Sequence, residues 1–181
     1  MGCWGITAFE SDTGLDTVDF IRSKMPENGV LELEKIIEEM RQKEWCVPEV
    51  TDLASHTGPM ALAEMIVKFQ DEDIGDMDYD GEWAANQNKF SKVKSFTVTG
   101  ESVQWLRNYL AEALGCIKEK AELAVNSDRK WGGWFEEEDW NGWQEHMSML
   151  ISRMDSILMS QEDELIPSKE QTSGPVMGEI S

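Results

Sequence analysis

The chain has 181 residues, 40% of them hydrophobic and 9% aromatic, with 36 acids against 16 bases and a net charge of −20. This length and composition suit one domain with a core of its own and exclude a wholly disordered chain. The charge excludes nucleic acid and anionic membranes as direct partners, because like charges repel, and favours cations and basic proteins.

The thiols and imidazoles narrow the classes further. Cys3, Cys46 and Cys116 are odd in number and widely spaced, which argues against a disulfide framework or a thiolate zinc site. Two histidines are too few for a His-rich metal centre. The opening M-G-C-W-G-I-T-A-F-E lacks the basic and apolar regions of a signal peptide, and no apolar run is long enough to span a bilayer. Reduced thiols and a cytoplasmic location are therefore expected.

In chain order, a glycine-punctuated lead over residues 1–11 comes first. Ser11 or Asp12 can cap a helix running to about Met25, with Leu15, Val18 and Ile21 on its apolar face. Pro26, Asn28 and Gly29 mark a turn, and Val30, Leu33, Ile36, Ile37 and Met40 give a second helix. Trp45 to Gly58 reads as a connection with one buried edge. Met60 to Phe69 is apolar on most sides and predicts a central buried helix. The segment from Asp71 to Glu82 holds seven acids and no bases. A short helix is expected over 82–92, and the alternating V-K-S-F-T-V-T at 93–99 predicts a short extended piece. Thr99 is placed to cap a long helix that ends at Asn126 and Ser127. Its face is Val103, Leu106, Leu110, Ala113, Leu114, Ile117 and Ala121. An aromatic stretch, 131–143, precedes a last helix carrying Trp143, Met147, Leu150, Met154 and Ile157. The body is expected to end at 159, with 160–181 a flexible polar tail. Because that tail holds five acids and one base, the body keeps 31 acids against 15 bases. The predicted fold is all-α: one domain of five to six helices with one extended segment near 93–99.

Three segments resemble a known family. The opening M-G-C-W-G-I-T-A-F-E-S-D is similar to the signature M-G-x-W-G-x-x-x-F-[DE]-[NS]-D of an uncharacterised bacterial family of small acidic proteins. The A-L-A-E-M-I helix at 61–66, and Asn126-Ser127 followed by Trp131 and Trp143, resemble later parts of its pattern. Gly14 stands where that family usually has alanine. The resemblance implies a compact helical domain over residues 1–159, in which Gly2, Trp4, Gly5, Phe9 and Asp12 act structurally. It implies no reaction, cofactor or partner.

Two constellations carry chemistry. Asp76, Asp78 and Asp80, with Gly81 and Glu82, match the first half of a calcium loop, where converging carboxylates suit a hard cation such as calcium or magnesium. Gln87 stands where such a loop needs its bidentate glutamate, so a plain acidic surface loop is the competing reading. Asp71, Glu72 and Asp73, with Glu136, Glu137, Glu138 and Asp139, form the second: acidic faces suited to a basic protein partner. Trp4, Trp131, Trp134, Trp140 and Trp143 suit either an aromatic groove or the closing of the core.

Catalytic signatures are missing: there is no G-x-S-x-G, no phosphate-binding loop and no assured Cys–His pair. Cys46 and His56 are close in sequence only. His146, beside Glu145, is expected on an exposed helix face. Glu64, inside the most apolar helix, needs a hydrogen-bonding partner or a shifted pKa, and a hydrolytic dyad with Asp12 is one option. The function expected from the sequence is a non-enzymatic acidic interaction protein without a cofactor: an inhibitor, immunity-type protein or adaptor, with nucleic-acid mimicry as one version. The alternative is a metal-binding protein or metal-assisted hydrolase using the 76–82 loop.

Overall fold

Ser11 opens the first helix as expected. Its Oγ accepts the Gly14 amide at 3.0 Å and caps α1, Asp12–Ser23, while Val18 and Ile21 are fully buried. The computed structural model describes residues 5–50, 56–78, 90–127 and 137–166, with no side-chain detail at 76, 78, 124–127 or 137. Within these the chain is mainly helical, with five α-helices and one small sheet.

After α1 the chain turns at Pro26–Gly29, where Gly29 takes a φ of 74°. It then forms β1, Val30–Glu32, before entering α2, Leu33–Arg41. Val30 thus belongs to a strand and not, as its spacing predicts, to the second helix. The reason is non-local. Val30, Leu31 and Glu32 pair in parallel with Ser95, Phe96 and Thr97 of β2, Ser95–Thr97, the extended piece legible in the sequence. Asp163 lends its carbonyl to the Val98 amide, and β3, Glu164–Leu165, adds antiparallel to the far side of β2. Leu31, Phe96 and Leu165 then form one buried row across the sheet, and Phe69 packs edge-on to Phe96 at 5.2 Å. The body therefore extends past the boundary at 159, to Leu165 at least. The polar sequence around Leu165 hides this, because a two-residue strand leaves no periodicity.

The central helix is α3, Thr57–Gln70, buried at every residue from Thr57 to Val67. Around it lie α1, the long α4, Gly100–Ser127, and α5, Trp140–Ser160. Thr99 Oγ1 accepts the Ser102 amide and Ser102 Oγ accepts the Thr99 amide, both at 3.0 Å, which fixes the start of α4. Arg107 near the start of α4 bonds Asp155 near the end of α5 at 3.0 Å, so these two helices run antiparallel. Trp143 is fully buried, with Trp140 stacked on it at 5.8 Å. Both are core closers, as one of the two tryptophan readings has it. Trp4, Trp131 and Trp134 lie outside the described residues, as does most of the helix expected over 82–92; Phe90–Lys92 form a 3-10 turn. No helix of the described residues is long and apolar enough to cross a membrane.

Candidate functional site

A carboxylate lies buried in the core: Glu64, 3% exposed on α3. A buried carboxylate is costly unless it is hydrogen-bonded. This one has three donors. The Ala8 amide bonds Oε2 at 2.7 Å, the Phe9 amide bonds Oε1 at 3.3 Å, and His146 Nε2 of α5 lies 3.0 Å from Oε2. The partner that Glu64 requires is thus supplied by the lead and by α5. His146, expected to be exposed, is instead drawn into the structure with only 16% of its side chain accessible. Asp12 lies exposed at the start of α1 and is not among the groups that bond Glu64, so the dyad reading is dropped.

Two helical turns further along both helices the pattern repeats. Arg153 of α5 clamps Asp71 at the end of α3 through two bonds of 2.7 and 3.0 Å. Its guanidinium holds the Asp71 carboxyl below the usual carboxylate range, chiefly through the hydrogen bond. The pairs Glu64–His146 and Asp71–Arg153 advance by the same seven residues on each helix, so α3 and α5 run parallel and in step.

Between them lies a groove of about 640 Å³. Glu64, Val67, Lys68 and Asp71 of α3 form one wall, and His146, Met149 and Leu150 of α5 the other. Thr7, Phe9, Glu10 and Leu15 close one side, and Asp73 stands at the rim. The volume is in the range of small-molecule sites. The lead is rigidified locally. Glu10 Oε1 accepts from the Thr7 amide at 3.2 Å and from the Thr7 hydroxyl at 2.8 Å. Lys68 Nζ lies 5.0 Å from the Phe9 ring centre, a cation–π distance.

The sequence-predicted residues distribute as follows. Phe9 is a groove wall, and a β-carbon on Gly5 would meet the Glu10 carboxyl. Asp71 and Asp73 reach the groove, while Glu72 is exposed beside them. Glu137 to Asp139 make a 3-10 turn into α5, with Glu138 exposed and Asp139 half-buried. Asp76 and Asp78 lie in a 3-10 turn, Gly75–Asp78, without described side chains. Gly2, Asp80, Glu82 and Glu136 fall outside the described residues. Among the described residues, no three acid, histidine or cysteine side chains converge as metal ligands. Cys46 is fully buried, and burial pushes its thiol up to about 11, against nucleophilic use. His56 Nε2 lies 2.8 Å from the Val50 carbonyl. Sequence reasoning missed Glu10, Lys68, His146, Met149 and Arg153. The usable signal was Glu64 itself, because a carboxylate in an apolar helix announces donors on its neighbours.

No protein-family model, curated protein or solved structure matches this chain.

Proposed function

We propose that this is a non-enzymatic acidic interaction protein, an inhibitor, immunity-type protein or adaptor, that binds a basic protein partner in the cytoplasm. On its opening motif we also place it with the bacterial family it resembles. The observation that carries the reading is the end of α3. Glu72 adopts a φ of 60°, in the left-handed region that glycine occupies without cost. The Asp73 amide bonds the Lys68 carbonyl at 2.8 Å and the Glu72 amide bonds the Phe69 carbonyl at 3.2 Å, the pattern of a glycine-terminated helix. A carboxylate thus stands where glycine would relieve strain, flanked by Asp71 and Asp73 at the groove. Gln161, just past α5, takes a similar φ of 56°; what sets Glu72 apart is that acidic neighbours on both sides line the groove. Complementary charge would steer the partner and the groove's apolar walls would add affinity. Presenting carboxylates in place of phosphates to a nucleic-acid-binding protein is one version of this reading.

The rival metal-assisted hydrolase needs the 76–82 carboxylates, whose side chains lie outside the described residues. The deciding experiment is copurification from a source lysate at low and high salt. A near-stoichiometric basic partner, lost as salt rises, supports the proposal. Capture of no basic protein at either salt sinks it.

A further inference from the structure

We infer that the groove between α3 and α5 receives an arginine side chain of the basic partner, flanked by apolar residues. This rests on the interaction reading above and names the group that is recognised. The lining acids are Glu10, Glu64, Asp71 and Asp73. Glu64 is saturated by its three donors, and Asp71 is neutralised by Arg153. Asp73 is exposed at the rim and makes no side-chain hydrogen bond or ion pair among the described residues. Glu10 and Asp73 together outweigh Lys68, the one lysine of the lining, whose ammonium is stacked on Phe9.

The rest of the lining is largely apolar: Phe9, Leu15, Val67, Met149 and Leu150. Such a site suits a long stem ending in a cation. An anion would face the rim carboxylates, and a fully apolar group would strip water from them without replacing its hydrogen bonds. Arginine fits better than lysine, because guanidinium is less strongly hydrated and pairs with carboxylates in two-bond geometry. The groove's own walls already hold cations in both modes, Arg153 on Asp71 and Lys68 over Phe9.

The probe is a capped Leu-Arg-Leu tripeptide, with citrulline in place of arginine as its neutral isostere. Titrated into the 15N-labelled full chain, the arginine peptide should shift the amides of Ala8, Phe9 and Met149. The citrulline peptide should bind roughly tenfold more weakly or worse, the effect of about 1.4 kcal/mol. Asp73→Asn should weaken the arginine peptide alone. Met149→Arg, at a site 38% exposed and so tolerant of substitution, should fill the groove with its own cation and abolish binding. Equal binding of both peptides, shifts confined to other surfaces, or unchanged binding by Met149→Arg would each overturn the inference. Its failure is separable from that of the interaction reading. If Met149→Arg still captures a salt-sensitive basic partner at full strength, the groove assignment falls and the interaction reading stands. If the peptide binds the groove and no basic protein copurifies, the interaction reading falls, and of the inference only the groove's preference for an arginine side chain stands.

Discussion

Glu64 and His146 meet at 3.0 Å although 82 residues separate them, and the same carboxylate carries the amides of Ala8 and Phe9. One buried side chain therefore ties the lead, α3 and α5 together. Buried groups of this kind cost most when one partner is removed and the others stay.

Glu64→Ala should lower stability by about 2–4 kcal/mol, since three donors lose their acceptor. His146→Ala should cost less, about 1–2 kcal/mol, because the two amides remain satisfied. Urea unfolding of both variants checks this. A loss below about 1 kcal/mol for Glu64→Ala would mean that water replaces the carboxylate and that the tie does not hold the lead.

Glu72→Gly should act in two directions. Relief of the left-handed backbone should raise stability by about 1 kcal/mol, which is about 2–4 °C in melting temperature for a chain of this size. Capture of the basic partner should weaken at the same time. Gain of stability with unchanged capture would show that the strain serves no contact.

What the sequence made legible is what local periodicity encodes. The faces of α1, α4 and α5 follow from apolar spacing over three to six turns, and Val18, Ile21, Val103, Leu106, Leu110, Trp143, Met147 and Leu150 are all buried as that spacing predicts. The sheet was legible only at its centre. β1 pairs with β2 residues 65 positions on, and β3 with β2 residues 67 and 69 positions back, and strands of two or three residues carry too few positions to alternate. The groove was hidden for the same reason. His146 and Met149 sit one position off the core stripe of α5, where a sequence reading assigns solvent, and only the in-step packing of α3 converts them into a wall.

The Asp71–Arg153 pair makes a pH-dependent contribution. Hydrogen bonds from Arg153 depress the folded-state pKa of Asp71, so the unfolded chain binds more protons around the ordinary carboxylate value of about 3.9. The stabilisation is thus fully present above that value and lost as pH falls through the lower folded-state one. Both groups are substantially exposed, so the contribution should be only about 0.2–1 kcal/mol. Urea midpoints for wild type and Arg153→Gln should differ at pH 7 and converge in acid, below the folded-state value. A gap of the same size at both ends would assign the effect to packing of the arginine stem.

Gly14→Ala sets local propensity against tertiary contact. By helix propensity alone, alanine should stabilise α1 by about 1 kcal/mol. In this chain a β-carbon on Gly14 would run into the carbonyl oxygen of Ala8, a backbone atom that cannot swing aside. That carbonyl also accepts the Ser11 hydroxyl at 2.8 Å, and the Ala8 amide is held by Glu64. Any shift that admits the methyl group must therefore disturb the cap of α1 or the Glu64 bond. The net effect should be destabilisation by about 1–3 kcal/mol, the range for overpacking a tight site. The double variant with Glu64→Ala should cost less than the sum of the two single changes, because the turn is then free to move. A melting temperature raised by Gly14→Ala alone would show that the lead yields readily, and the rigidity assigned to the Glu64 tie would have to be given up.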